Sequence, residues 1–200
     1  WPNAFWLYQQ IYDANGNPIE GAYVDRNEDG AVDSADKYAY HKPDADWTFG
    51  FMTNYTYEKW DFSMAWRASV GNYIYDQISA DRAHLGNMYN TIDGTDNNPN
   101  AVNNAPVDFS ITQFSQRKAE TDYYVSDASW LKWDNLTVGY TFANPIGDKE
   151  KNSSLRLYGG IQNVLVISEY KGMDPEIFGG NDSTIYPRAR MYMVGVNFNF

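Results

Sequence analysis

Residues 46 to 57 read Asp-Trp-Thr-Phe-Gly-Phe-Met-Thr-Asn-Tyr-Thr-Tyr, an alternation of aromatic and small or polar residues. The alternation places most of its aromatic side chains on one face of an extended strand. Strands of globular proteins mostly have about 5–6 residues, and this one is far longer. The ten steps from Trp47 to Tyr57 rise roughly 33 Å and, tilted by about 40°, span roughly 25 Å. That is the height of the apolar band of an outer-membrane β-barrel, and aromatic residues stand at both ends, as its girdles require.

The chain then turns at Glu58–Lys59 and returns with the same alternation from Trp60 to Val70. Arg67 falls on the polar face, where it would be costly in lipid but well solvated in a water-filled lumen. The pattern therefore predicts an up-and-down hairpin with one face toward lipid. We assign Trp47, Phe49, Phe51 and Phe62 to the lipid face, and Asn54, Ser63 and Arg67 to the lumen face.

Outward from this hairpin, polar segments alternate with further strand patterns. Residues 76–122 are rich in Asn, Asp, Gly and Pro and predict a long loop. Such loops are uncommon inside compact domains but usual on the extracellular side of outer-membrane barrels. The other predicted features are a strand pair over Tyr123–Phe142 with a bulge near Asp134–Asn135, a turn over Asn144–Ser154, a strand over Leu155–Gln162 and a polar loop over Lys171–Tyr186.

The last predicted strand covers residues 187–200 and ends on a phenylalanine. Apolar residues at every second position before a terminal aromatic resemble the assembly signal of bacterial outer-membrane barrels, which the barrel assembly machinery reads. The signal residues are Tyr192, Val194, Val196, Phe198 and Phe200. An ordinary amphipathic edge strand would show a similar alternation, but the coincidence of pattern, composition and terminus favours the signal.

Composition limits the classes of protein to which the chain can belong. The chain has 17 Tyr, 10 Phe and 7 Trp, a load that a carbohydrate-binding surface or a lipid-facing barrel explains. The mean hydropathy of −0.61 and the lack of a long apolar run exclude a transmembrane helix. The net charge of −11 argues against nucleic acid as a partner, and the absence of cysteine excludes disulfides and thiol chemistry. Because an exported barrel needs a signal segment and none precedes Trp1, we interpret the sequence as a fragment.

Four stretches, in this order and spacing, resemble the SusC/RagA family of TonB-dependent transporters. They are Asp25–Gly30 with the acids that follow, Tyr124–Tyr140, Leu155–Asn163, and Tyr170–Glu176 followed by Tyr186–Arg190. The resemblance covers nearly the whole chain and implies an all-β fold. Residues 1–200 would form the last 5–6 antiparallel transmembrane strands of a barrel of about 22 strands, with long extracellular loops and short periplasmic turns.

The resemblance also implies a function, the active import of a large nutrient such as an oligosaccharide, another glycan or a peptide. It places the protein in the outer membrane of a Gram-negative, Bacteroidetes-like cell, in contact with outer-membrane lipid. A SusD-like surface lipoprotein would close the mouth, and the TonB complex would supply energy through a plug domain and TonB box outside this sequence. No enzymatic activity is expected. From the residues alone, five or six strands cannot close a membrane barrel, so their edges must pair with further strands.

One acidic segment has the spacing of an EF-hand calcium loop. Oxygen ligands fall at the required intervals, and Gly30 supplies the turn. The predicted ligands are Asp25, Asn27, Asp29, the Ala31 carbonyl, Asp33 and Asp36. Asp36 stands where a bidentate Glu is usual. We predict a structural Ca²⁺ in an extracellular loop; the alternative is an Asx-rich turn that needs no ion.

Cargo contacts are predicted at four aromatic residues that could stack on sugar rings: Tyr73, Tyr75, Tyr89 and Trp130. Girdle or packing roles are the alternative for each. His41 and His84 are isolated in polar sequence, and Asp174 with Glu176 is typical of a turn, so no catalytic or zinc site is predicted.

Two other architectures fit parts of the pattern. A secreted calcium-dependent carbohydrate-binding β-sandwich would explain the aromatic residues and the acidic loop, but not the long strands. A small independent porin-like barrel would need more strands than this chain predicts.

Overall fold

The computed structural model describes residues 3–85, 109–117, 120–145, 153–183, 186 and 188–199. In chain order the strands are β1 (Phe5–Leu7), β2 (Gln10–Tyr12), β3 (Pro18–Tyr23), β4 (Tyr38–Tyr40), β5 (Trp47–Tyr57), β6 (Trp60–Val70), β7 (Tyr73–Tyr75), β8 (Val125–Asp127), β9 (Trp130–Ala143), β10 (Ser154–Ser168) and β11 (Met191–Asn199); the helices are α1 (Gln77–Arg82) and α2 (Phe109–Thr112). No helix in these ranges is both long and apolar enough to cross a membrane.

The chain divides into two compact units, each built from three segments. The sheet unit comprises Ala45–Gly71, Ser129–Glu169 and Tyr186–Phe200, and the loop unit comprises Trp1–Asp44, Asn72–Ala128 and Tyr170–Ile185.

The sheet unit is one antiparallel sheet with the strand order β11-β10-β9-β6-β5. The predicted hairpin is confirmed, because every residue of β5 pairs with a residue of β6 around the turn at Glu58–Lys59. The connection from β9 to β10 lies at the same end of the sheet. The long connecting segments, including the one between β6 and β9, leave from the opposite end. This is the predicted rhythm of short turns and long loops.

The two faces of the sheet differ in chemistry, although the polar face also carries methionines such as Met52 and Met193. Residues that share a face stay aligned across all five strands, so one row runs from Tyr55 through Phe62, Val138 and Gly159 to Val194. This apolar face carries large exposed side chains, among them Trp47, Phe49, Phe51, Trp60, Leu157 and Tyr192. The opposite face carries Asn54, Ser63 and Arg67 and their polar partners, as the sequence predicts.

The predicted bulge lies at Asp134. Ala65 of β6 pairs with Asn135, and Trp66 pairs with Trp133, so Asp134 is the extra residue in β9. The bulge keeps Trp133 on the apolar face together with Leu136. The prediction of a strand pair reaching back to Tyr123 is wrong. A 3₁₀ turn covers Asp122–Tyr124 and a separate strand follows it. The fully buried Ala128 and its neighbour Ser129 then separate β8 from β9.

The loop unit consists of short strand pairs and helices. Strand β1 pairs with β4, β2 with β3, and β7 with β8. Its main core is a cluster of Leu7, Tyr75, Ala80, Phe114 and Tyr124. The predicted loop over residues 76–122 therefore contains secondary structure of its own, α1 and α2, and residues 86–108 and 118–119 lie outside the described ranges.

A second, smaller core of the loop unit holds the Tyr-Lys-Gly stretch at residues 170–172. Tyr170 packs with Ile74 and Ala128 and donates its hydroxyl to Asp182 Oδ2 at 2.8 Å. A Cβ at Gly172 would lie 2.3 Å from the Tyr170 ring, so only glycine fits there. Asp182 is 1% exposed, and burial raises the pKa of its carboxyl. Its Oδ1 has no hydrogen-bond partner within the described ranges.

Candidate functional site

The polar face of the sheet carries an ion pair near the short-turn end. The guanidinium of Arg156 on β10 donates to both carboxylate oxygens of Asp61 on β6, with an Nε–Oδ1 distance of 2.8 Å. The pair passes over Gly139 of β9, where a Cβ would lie 2.4 Å from Asp61 Oδ1. The guanidinium also lies 4.7 Å from the ring centroid of Tyr158. A two-point charge-assisted bond with a ring beside it fixes the orientation of the cation.

A second charged group on this face forms around the bulge. Arg67 donates from Nη2 to Asp134 Oδ1 at 3.0 Å, and Lys132 Nζ lies 3.6 Å from the same oxygen. Lys132 is only 2% exposed, so the carboxylate compensates a buried cation. The Arg67 guanidinium lies 5.4 Å from the ring centroid of Trp130. The bulge thus places a carboxylate between both cations.

The acidic loop at residues 25–36 is closed by its own backbone. Asp25 accepts hydrogen bonds from the N–H groups of Glu28 and Gly30, both at 2.8 Å. Asp36 is buried and accepts from the N–H groups of Arg26 at 2.7 Å and Asp33 at 2.8 Å. These bonds, with that from Asp33 first, hold the pKa of Asp36 below its usual value. Gly30 has a φ of 86°, as the predicted turn requires.

The other predicted ligands follow the same scheme. Asn27 Oδ1 accepts from Asp29 N–H at 3.0 Å, Asp29 Oδ1 from Ala31 N–H at 2.9 Å, and Asp33 Oδ1 from Ala35 N–H at 2.7 Å. Within the described ranges no three acidic or histidine side chains are arranged as a metal site. The geometry is that of consecutive Asx turns, and calcium binding stays a prediction.

The loop unit contains a cavity of about 430 Å³, hereafter the loop cavity. Its apolar wall is formed by β1 and by Tyr75. Leu7 and Tyr75 belong to the main core, and Phe5 packs against it. Trp6 between them is 64% exposed, because side chains alternate along a strand. Gly179 closes one side in a left-handed turn with a φ of 79°.

Polar groups complete the loop cavity. They are the side chains of Gln77, Arg117, Glu120 and Asn181. Arg117 uses Nε to bind Asp81 Oδ1 at 2.6 Å, and Glu120 uses Oε2 to bind Lys37. Burial raises the pKa of Tyr75 to about 12, so its phenol is neutral at physiological pH. The Tyr75 oxygen accepts from Glu120 N–H at 2.9 Å, which leaves its proton available for donation.

The predicted cargo residues therefore lie in different places. Tyr75 lines the loop cavity. Tyr73 stacks on His41 with ring centroids 3.7 Å apart, so that one of its faces is covered. Trp130 belongs to the sheet unit, beneath Arg67, and Tyr89 lies outside the described ranges. His84 Nε2 lies 2.9 Å from the Asp81 carbonyl, and Asp174 accepts from Glu176 N–H as expected of a turn.

Sequence reasoning missed most of the loop cavity. Trp6, Gln77, Arg117, Glu120 and Asn181 come from four separated segments, and none belongs to a local motif. Trp6 stands in the apolar and aromatic run Phe5–Tyr8, which gives no sign that its side chain lines a cavity.

Four of the predicted assembly-signal residues share the apolar face of β11. Tyr192, Val194, Val196 and Phe198 lie opposite Ile161, Gly159, Leu157 and Leu155 of β10. Phe200 lies outside the described ranges. An assembly signal and an ordinary edge strand would both place these side chains on the apolar face. The placement does not separate the two roles, so the assembly role stays a prediction.

Comparison of sequences finds relatives among the TonB-dependent receptors. It is 38% identical over 199 residues to the TonB-dependent receptor SusC of Bacteroides thetaiotaomicron, which covers 99% of this chain and 19% of SusC. It is 27% identical to TonB-dependent receptor P3 of Formosa agariphila, over 93% of this chain and 19% of that receptor. The chain thus spans about a fifth of the length of these relatives. No family model matches.

Comparison of structures gives the same fold. A structure of the RagAB peptide transporter superimposes with a TM-score of 0.71, covering 100% of this chain and 23% of that chain. The closed-closed state of the RagAB peptide importer gives 0.65, with 22% of that chain covered. Sequence identity is 18% in both cases, so the likeness concerns the fold. The sheet unit accordingly has the fold of a barrel segment, and the β-sandwich alternative is not supported.

Proposed function

This chain is related along its whole length to SusC-like TonB-dependent receptors, and on that premise we propose that it forms part of an outer-membrane importer of a large nutrient. The nutrient is a glycan or a peptide. The cell is Gram-negative, and the relatives from Bacteroides and Formosa support a Bacteroidetes-like host.

The observation that carries this proposal is the two-faced sheet. Its apolar face exposes an aromatic and aliphatic surface, with Trp47 at 67% and Phe51 at 61% exposure. A soluble protein rarely leaves such a surface open to water, whereas bilayer hydrocarbon solvates it. The polar face carries ion pairs that need a hydrated or protein-lined environment. We assign the apolar face to outer-membrane lipid and the polar face to the lumen.

Two partners belong to the proposal. Import through a large barrel needs energy, and the names of the relatives point to the TonB complex, acting through parts of the protein outside this sequence. The double name of the RagAB peptide importer supports a second component, for which we propose a SusD-like surface lipoprotein at the extracellular mouth. The barrel assembly machinery would insert the protein.

The proposal is tested with the full-length gene in its native host. Membrane fractionation should place the protein in the outer membrane, soluble only in detergent. Deleting the gene should abolish growth on one large nutrient while growth on its monomer continues, and an uncoupler of the proton-motive force should have the same effect on uptake. Unchanged growth on every oligosaccharide and peptide tested, or a protein found in the soluble fraction, would contradict it.

A further inference from the structure

The loop cavity combines its apolar wall, which is partly aromatic, with hydrogen-bond donors and acceptors. Arg117 has N–H groups beyond the one that binds Asp81, and Glu120 has a second oxygen beyond the one that binds Lys37. The Tyr75 hydroxyl can donate. The Asn181 side chain makes no hydrogen bond within the described part of the chain, and so offers both a donor and an acceptor.

These groups select a neutral ligand. Arg117 would attract an anionic ligand and Glu120 would repel it, and a cationic ligand would meet the opposite pair of effects. The net charge of −11 disfavours anions further. Hydroxyl groups satisfy donors and acceptors alike, because each can play either role. A ligand with many hydroxyls therefore fits this lining better than one with a fixed charge.

The aromatic wall adds a second requirement. Sugar rings present an apolar C–H face, and an exposed indole such as that of Trp6 offers the flat apolar surface on which it can lie. The volume of about 430 Å³ falls within the usual range for small-ligand pockets. Because Leu7 and Tyr75 belong to the core of the loop unit, the wall is held in place before any ligand arrives.

We propose that the loop cavity binds a neutral sugar ring of an oligosaccharide cargo, with Trp6 as the stacking platform and Tyr75, Arg117, Glu120 and Asn181 as hydroxyl partners. This inference rests on the proposed import function and names its substrate class. The cavity is a specificity site for glycans over peptides.

The test uses full-length transporter purified in detergent and isothermal titration calorimetry. The probes are hexasaccharides of an α-1,4-glucan, a β-1,3-glucan and a β-2,6-fructan, with an uncharged decapeptide for comparison. At least one hexasaccharide should bind. Trp6→Ala should weaken that binding about 10-fold, because it removes the stacking surface. Asn181→Ala should weaken it several-fold, because it removes one hydrogen-bonding group. Trp6→Phe should restore part of the affinity.

Both substituted residues are exposed, so the variants should fold, and heat-modifiable migration on gels checks this. Trp47→Ala is the matched control, because Trp47 is equally exposed but lies on the apolar face of the sheet. Its sugar affinity should equal that of the unmodified transporter.

The binding experiment tests the role of the loop cavity, whereas the uptake experiment separately tests the import function. Sugar binding unaffected by Trp6→Ala and Asn181→Ala overturns the assignment of the cavity, as does an unmodified transporter that binds none of the hexasaccharides. Peptide binding weakened by the same two variants overturns the substrate class. Cells that import neither glycans nor peptides overturn the function itself.

Discussion

Arg156 and Asp61 are joined by two hydrogen bonds although a whole strand, β9, lies between them. The bridge is possible because Gly139 has no side chain beneath it. We predict that Gly139→Ala separates the pair and destabilises the sheet by about 1–3 kcal/mol, the usual cost of overpacking. Gly50→Ala is the control, since Gly50 lies on the same face with open space around it. The heat-modification temperature of the folded transporter on gels should fall for Gly139→Ala only.

The assignment of faces predicts unequal tolerance of charge. Phe51 and Asn54 are exposed neighbours on opposite faces of β5. An arginine facing mid-membrane lipid costs about 2–4 kcal/mol, whereas one facing a wet lumen costs little. Phe51→Arg should therefore reduce the amount of folded protein in the outer membrane far more than Asn54→Arg. Equal levels of the two variants on immunoblots of outer-membrane fractions would show that the faces are assigned wrongly.

The buried carboxyl of Asp182 predicts a pH dependence. Its folded pKa is raised, first by burial, so its contribution to stability is complete below the unfolded pKa of about 3.9 and is lost as pH rises through the folded pKa. Relative to the natural protein, Asp182→Asn should gain thermal stability as pH increases from 4 to 8, and Asn can still accept from Tyr170. Melting temperatures in detergent across this range measure the effect.

Asp13 supplies a control of opposite sign for that experiment. The backbone N–H of Asn17 is the main cause that lowers the pKa of this exposed carboxyl. Its stabilising contribution is present above the unfolded pKa and is lost as pH falls through the folded pKa. Asp13→Asn should therefore lose stability relative to the natural protein as pH rises from 2 to 5. If both variants drift in the same direction, the Asp182 effect is not specific.

The ligand spacing of the acidic loop predicts calcium binding. The same carboxylates already accept hydrogen bonds from backbone N–H groups, so the loop can close without the ion. If Ca²⁺ binds, the carboxylates must exchange backbone N–H groups for the ion, with oxygen distances of about 2.3–2.6 Å. Terbium luminescence, displaced by calcium, should detect the site in the full-length transporter, and Asp25→Ala combined with Asp29→Ala should abolish the signal. Asp13→Ala should leave it unchanged. A terbium signal that survives the double substitution would leave the loop as a series of Asx turns.

The two faces of the sheet were predictable from sequence because strand register follows from a strict period of two. Even the bulge could be predicted, since Leu131 and Trp133 stand in the opposite phase to Leu136 and Val138. The break between β8 and β9 was not predictable. Tyr123 to Trp130 continues an apparently strand-like pattern, and only the packing of Ala128 in a separate core ends it.

The loop cavity could not be predicted for a related reason. Its lining comes from residues near positions 6, 75, 117 and 181, which the folded loop unit brings together. Loop geometry follows from contacts distant in sequence, whereas strand faces follow from neighbours two positions apart. Tyr75 was identified as an aromatic residue that could contact cargo, but its partners carry no local pattern.

The bulge at Asp134 also bears on how such a strand can change in evolution. Relative to β6, Asp134 is a single inserted residue, and both flanking stretches keep their faces. A one-codon deletion there would restore regular pairing with β6 and remove the carboxylate that holds Arg67 and Lys132. It would also leave the two residues of β10 between Gln162 and Leu165 without a counterpart in β9. An insertion or deletion elsewhere in the regular part of the strand would turn one half inside out. Some relatives should accordingly lack a residue at this position. In those relatives, neutral residues should replace Arg67 and Lys132.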